Sequence, residues 1–198
     1  MTLTQAAFGK TSLTRATLMV VAGSLFIALA AQISVPFFPV PLTLGTLAIL
    51  IVGLSFGARL GAAAVLAYLA QGAVGLPVFA NGGAGLAYMA GPTLGFLLGY
   101  VAVAWITGYA ADRGWARGFL GASAAALVAS AVLYIPGVAW PMAVAGATGV
   151  EASWVGQAFG DYYWAYFVAP FLLGDAVKSV LAALVVTGAW KALKARQA

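Results

Sequence analysis

Residues 166–193, YFVAPFLLGDAVKSVLAALVVTGAWKAL, decide how the rest of the chain is read. The run is long enough to cross a hydrocarbon core about 30 Å thick at a rise of about 1.5 Å per residue. Yet it carries Asp175 and Lys178 in its interior. A charge at the centre of a spanning helix costs roughly 2.5–3.5 kcal/mol on insertion scales, so an ionisable pair retained there marks a functional site by default. Three positions apart on a helix, the two side chains project about 60° from each other and share one face. They can neutralise one another as a structural pair, or hold the cation ready for the anion of a ligand, and the two roles are compatible.

The remainder of the chain supports the membrane reading. It has 198 residues, 64% hydrophobic and 7% charged, too little charge to cover a water-soluble domain. Further apolar runs occupy about 13–33, 42–56, 60–76, 93–111 and a stretch from 119 that Pro136 and Pro141 kink or end. The first run follows a mildly polar amino-terminal segment and lacks a clear cleavage site, which predicts a retained helix rather than a signal peptide. The second is short, which predicts shielding by neighbouring helices. Pro92 is expected in the first turn of the fourth. With six spans both termini fall on one side, which then receives Lys10, Arg15, Arg59, Arg113, Arg117, Lys191, Lys194 and Arg196, while the opposite loops receive no Lys or Arg. By the positive-inside rule the termini are cytoplasmic. The expected fold is an all-α integral membrane protein of six transmembrane helices, N-in and C-in, forming one domain over residues 1–198. We find no internal repeat between its halves.

Two outer segments stand out. Residues 36–41, PFFPVP, are too proline-rich for a helix and too apolar for a solvated loop, so they are expected to fold back onto protein. Residues 77–85, PVFANGGAG, predict a structured uncharged loop with glycines at tight turns. After the fifth span, 145–163 is the most polar stretch outside the termini. It carries Glu151 and Asp161, with Trp154, Tyr162, Tyr163 and Trp164 as interface anchors and room for a short surface helix.

The chemistry available is narrow. With no Cys and no His there is no disulfide, thiol nucleophile, imidazole base or ordinary zinc or haem site. The glycine loop lacks the Gly-Lys-Ser/Thr of a phosphate-binding loop, so the chain is not expected to hydrolyse nucleotides. An aspartyl protease needs two carboxylates sharing a proton, and Asp161 falls outside a span. The basic residues lie singly or in pairs at the ends of apolar runs rather than on one face, which argues against nucleic acid. Among polar candidates, Asn81 offers two donors and an acceptor but also stands before Gly82, where Asn-Gly signals a turn. Gln32 sits at the outer end of span one, within reach of the same region. Phe37, Phe38, Phe79, Tyr88 and Trp164 can wall an apolar ligand or serve as packing and interface belt. Gly23, Ser24, Ala28 and Ala31 give the first span a small-residue face for close helix approach. From these residues alone, an intramembrane enzyme using Asp175 and a structural subunit with an internal Asp175/Lys178 pair remain open beside a ligand-binding protein.

Several segments taken together carry a resemblance: Ile33-Ser34-Val35-Pro36 leading to Pro39-Val40-Pro41-Leu42-Thr43, then Gly75-Leu76-Pro77-Val78-Phe79, Gly91-Pro92-Thr93 and Gly174-Asp175-Ala176-Val177-Lys178. In order and spacing they resemble the BioY family, the biotin-binding S components of energy-coupling-factor (ECF) vitamin transporters. The resemblance implies a six-helix substrate-capture domain in the bacterial cytoplasmic membrane. Its vitamin site would lie beneath the first and third outer loops, and a transmembrane T subunit and two ATPases would be its partners. It implies biotin as transported ligand, no cofactor and no catalysis. By motif, Asp175 and Lys178 match the family's D-x-x-K pair and Asn81 the polar residue of its glycine-rich loop, so these three are carried over as biotin contacts. Gln32, Thr43, Phe79 and Tyr88 match by region. The family's partner-docking surface of small residues on the first helix is interrupted here by Leu25 and Phe26.

Overall fold

A computed structural model of the chain describes residues 2–9, 12–148 and 159–197; Lys10, Glu151 and Trp154, with the expectations attached to them, lie outside the described residues. Among the described residues nine α-helices run in chain order as α1 Leu3–Phe8, α2 Leu13–Gln32, α3 Gly45–Phe56, α4 Ala58–Ala73, α5 Gly85–Met89, α6 Leu94–Asp112, α7 Phe119–Thr148, α8 Phe159–Tyr163 and α9 Ala169–Gln197. The described part is not purely helical. Ser34–Val35 (β1) and Leu42–Thr43 (β2) pair antiparallel, with Ser34 opposite Thr43 and Val35 opposite Leu42. This pair ties off the proline segment and takes the residues expected to begin the second span, so α3 starts only at Gly45.

Four helical stretches are long and apolar enough to cross a membrane: Leu13–Gln32, Leu94–Asp112, Phe119–Ala147 and Gly160–Arg196. The twelve residues of α3 and sixteen of α4 fall short of that length. At about 1.5 Å per residue α3 covers about 18 Å. It is tolerated because it is enclosed, packing against α2, α4, α6 and α9. Its interior position fits its sequence, GTLAILIVGLSF, which has no polar face. By contrast α2 buries only the narrow face of Gly23, Ser24, Ile27, Ala28 and Ala31, leaving Leu18, Leu25 and Leu29 outside. An apolar exterior of this kind suits lipid rather than water.

Several local expectations are corrected. α4 begins at Ala58 directly after Gly57, so Arg59 is helical and Gly57, with φ of 86°, makes the turn alone. The helix ends at Ala73, ahead of the glycine loop. Pro92 lies two residues before α6 rather than in its first turn. Pro136 and Pro141 do not end α7, which continues to Thr148. The two prolines withhold amides from the Val132 and Gly137 carbonyls, and the Tyr163 hydroxyl ties α8 to this part of α7 by donating to the Pro141 carbonyl at 3.2 Å. α9 is preceded by a π-helical turn at Trp164–Val168, just ahead of Pro170.

Contacts gather the cationic segments at the end away from the proline and glycine loops. The Thr4 hydroxyl donates to the Ser55 carbonyl, Asp112 accepts the Ala58 amide at 3.1 Å, and the Arg117 guanidinium lies 5.4 Å from the centre of the Trp190 ring. α3 and α6 cross almost backbone to backbone, because a Cβ on Gly53 would stand 2.0 Å from Thr107 Oγ1 and 2.9 Å from the Ala104 carbonyl. Gly53→Val is therefore expected to lower stability by about 1–3 kcal/mol or more, the usual range for overpacking a core. Gly188→Ala, where a Cβ meets open space, is expected to leave stability unchanged or slightly raised. Thermal unfolding of the two variants in detergent checks both, and a Gly53→Val protein as stable as the parent contradicts the crossing.

Candidate functional site

The site is built upward from α9. Asp175 and Lys178, one turn apart, meet at 3.2 Å between Oδ1 and Nζ. Neither partner rests on the other alone. Lys178 Nζ donates to Thr46 Oγ1 of α3 at 3.0 Å, and the Tyr134 hydroxyl of α7 donates to Asp175 Oδ2 at 2.5 Å. That last distance is the short one expected of a hydroxyl on an ionised carboxylate. Nearby, Ser130 of α7 and Ser179 of α9 share a buried hydrogen bond of 3.3 Å. Three helices thus meet around one neutral ion pair, whose side chains are 9% and 12% exposed for Asp175 and Lys178. Burying a charge is tolerable when it is both paired and hydrogen-bonded, and these contacts meet that condition.

Above the pair are two adjoining chambers. One is lined by Thr46, Leu133, Tyr134, Phe171, Asp175 and Lys178; the other is lined by Ile27, Ala31, Tyr68, Phe79, Tyr88 and Leu97. Val40, Pro41, Thr43, Phe96 and Tyr100 belong to both. They leave about 20 and 30 Å3 of free space, room for a water or two. A small-molecule site is ordinarily about 300–1,000 Å3, so each of these spaces is well below that size. Val40 and Pro41, which border both, come from the proline segment rather than from a long helix. Outside lies an open mouth of about 590 Å3, bounded by Pro36, Phe38, Asn81, Tyr88 and Pro92 among others.

The structure distributes the expected residues among these spaces. Lys178, Asp175 and Thr43 line the ion-pair chamber, and Thr43 also faces the second. Phe79 is fully buried in the second chamber, stacked on Tyr88 at 5.2 Å between ring centres and edge-on to Tyr68 at 5.5 Å. Gly72 makes room for its ring, since a Cβ there would fall 2.0 Å from Phe79 Cζ. Burial raises the Tyr88 phenol above its ordinary pKa, so it is a neutral hydroxyl. Asn81 takes the left-handed conformation, φ 56° and ψ 32°, and its Oδ1 accepts from Ser34 at 2.7 Å. It borders the mouth, apart from the chamber of Asp175. Gln32 grips the glycine loop. Its Nε2 donates to the Phe79 carbonyl at 3.0 Å and its Oε1 accepts from the Gly82 amide at 3.0 Å. Of the other aromatics, Phe37 packs edge-on against Phe171 at 6.0 Å, while Phe38 and Trp164 are exposed.

Sequence reasoning missed Tyr134, Thr46, Tyr68, Phe96 and Tyr100. The available signal was tyrosine in the middle of a span, away from any interface belt where it is usually found. A hydroxyl in hydrocarbon needs a partner, and Tyr134 finds Asp175.

A lipid-facing helical bundle with a closed, aromatic chamber over a buried ion pair defines a membrane-embedded small-molecule binding protein. The comparisons agree and go further: the family model described as BioY family matches residues 3–195, and the chain belongs to that family. The biotin transporter BioY of Rhizobium etli is 37% identical over 169 residues, covering 80% of this chain and 82% of that protein. That of Rhodobacter capsulatus is 35% identical over 179 residues, covering 85% and 89%. Among solved structures, the crystal structure of the S-component for biotin from an ECF-type ABC transporter shares the fold. Its TM-score is 0.74 at 20% identity, over 92% of this chain and 95% of that one.

The network makes a graded prediction. Tyr134→Phe removes a charge-assisted bond from a buried carboxylate and should lower stability by about 1.5 kcal/mol, whereas Thr46→Val should cost less because Lys178 keeps Asp175. Chemical or thermal unfolding in detergent reads both, and the reverse order would contradict the arrangement.

Proposed function

We propose that this chain captures biotin at high affinity and takes part in its uptake across the cytoplasmic membrane, as the substrate-specific S component of an ECF-type transporter. Membership in the BioY family and the relatives named as biotin transporters support this reading. The observation that carries it is Lys178, an ammonium held by Asp175 and Thr46 within a chamber otherwise walled by aromatic and aliphatic side chains. Biotin presents a carboxylate, a ureido group that donates and accepts, and an apolar thioether ring and valeryl chain. The ammonium offers a charge-assisted bond to the carboxylate. Asn81, at the mouth and away from the ion pair, offers donors and an acceptor for the ureido group at the other end, while Asp175, in contact with Lys178, holds the ammonium in place. Phe79, Tyr88 and Thr43, with Gln32 fastening the loop above, complete the proposed site. Both oxygens of Asp175 are already engaged by Lys178 and Tyr134, which favours binding over general-base chemistry.

The same reading assigns residues 1–198 to one capture domain with six membrane crossings and both termini in the cytoplasm. α3 and α4 cross as short, protein-shielded helices, and the clustering of Arg59, Arg113, Arg117, Lys191, Lys194 and Arg196 at one end supports that orientation. The proline and glycine loops then face outward. The chain supplies no nucleotide-hydrolysing motif, so energy comes from a T subunit with ATPases, and the S component contributes recognition.

Truncating one partner of a buried, hydrogen-bonded charge contact costs about 2–5 kcal/mol of binding, so Lys178→Ala should weaken biotin binding at least about 30-fold in titration calorimetry of the purified protein. Unchanged affinity would sink the site. Biotin methyl ester should bind at least about tenfold more weakly than biotin, and equal binding would place the ureido group at Lys178 instead. Because residues 36–41 border the mouth and, through Val40 and Pro41, both chambers, the amide exchange of this segment should slow on biotin addition, as for a closing lid. Exchange that stays unchanged counts against the lid.

A further inference from the structure

Toward the cation-bearing end, α6 and α7 enclose a groove of about 380 Å3 that is separate from the chambers. Ala110, Ala124 and Ala125 line it between Trp105, Tyr109 and Trp115. Trp105 and Trp115 are about half exposed, so no other element of the described chain covers them. Small residues between large aromatics make a slot, whereas a bundle surface that merely touches lipid needs no such recess. Trp105, Tyr109 and Arg113 follow one another at single-turn intervals on α6, and the Arg113 guanidinium lies 4.8 Å from the centre of the Tyr109 ring. The aromatic wall therefore ends in a fixed cation. No carboxylate among the described residues pairs with Arg113, since its neighbour Asp112 is turned to the Ala58 amide.

We propose that this groove binds one acyl chain of an anionic glycerophospholipid, with the lipid phosphate at Arg113. The combination is chemically specific: an apolar slot takes the chain, tryptophans mark headgroup depth, and a planar guanidinium offers paired donors to phosphate. Anionic headgroups near a membrane-surface Arg gain by charge alone. The inference rests on the reading of this end as cytoplasmic only for naming the leaflet; binding itself does not depend on it.

The test is native mass spectrometry of the full-length protein in detergent, titrated with phosphatidylglycerol or phosphatidylethanolamine of identical acyl chains. Wild type is expected to retain one phosphatidylglycerol about fivefold better, the preference one cation at headgroup depth can supply. Arg113→Gln, an exposed change without risk to the core, should erase the preference, and Ala124→Phe should lower retention of both lipids by filling the slot. Biotin affinity and melting temperature, measured on the same samples, are expected to stay at wild-type values. They separate failure of this proposal from failure of the biotin site. Equal retention of the two lipids by wild type, or a preference that survives Arg113→Gln, overturns the proposal. So does a concentration-dependent dimer that Ala124→Phe abolishes, which would assign the groove to a second copy.

Discussion

Two opposite charges closed into a medium without water set terms that the neighbouring helices must meet. Asp175 and Lys178 cannot fall back on solvent if their contact loosens, so every lone pair and proton left over must be met by protein. The partners come from different places in the chain: Thr46 from the beginning of α3, Tyr134 from the middle of α7. Satisfying one pair therefore fixes three helices in rotation and height. The same demand explains why the pair carries functional weight. An ammonium already held by protein groups in a mostly apolar chamber is preorganised, and a ligand that brings a complementary group spends little further on ordering it.

The second constraint is steric. α3 is too short to reach both faces of a bilayer by itself, and it sits where four other helices can hide its ends. Close approach at Gly53 brings α6 against it. α6 in turn carries Phe96 and Tyr100 into both chambers. A tight crossing near one end thus positions the walls of the chambers near the other.

Much of this was legible beforehand, for identifiable reasons. Long apolar runs in a charge-poor chain read as membrane helices because nothing else hides so much hydrocarbon. Lys178 could be singled out because the other cations sit at the ends of runs. Helix ends were less legible. Gly57 turns the chain within a single residue, and two-residue strands absorb Leu42 and Thr43, because pairing with Ser34 and Val35 is a tertiary event invisible to local hydropathy. Of the kink or end expected at Pro136 and Pro141, the end does not occur, since α7 continues through both. The site divided in the same way. Its charges announced themselves, while Tyr134 and Thr46 did not, since a hydroxyl becomes informative only once its partner across the bundle is known. Asn81 was expected to share a ligand with Asp175, and the structure puts it at the mouth, on Ser34, rather than beside Asp175.

The hydrogen bonds from Gln32 and Ser34 fasten two loops that are distant in sequence. Gln32 holds the backbone on both sides of Asn81, and Ser34 holds its side chain. Neither the strand pair nor the glycine loop can lift far without breaking several of these contacts together. With each worth about 0.5–1.5 kcal/mol net, separating the loops requires a barrier that neither loop would present alone. Such a clasp slows exit as much as entry. On the proposed reading it would lengthen the stay of a captured molecule even where the contacts to the molecule itself are few, with release tied to separation of the carboxyl-terminal end of α2 from the glycine loop.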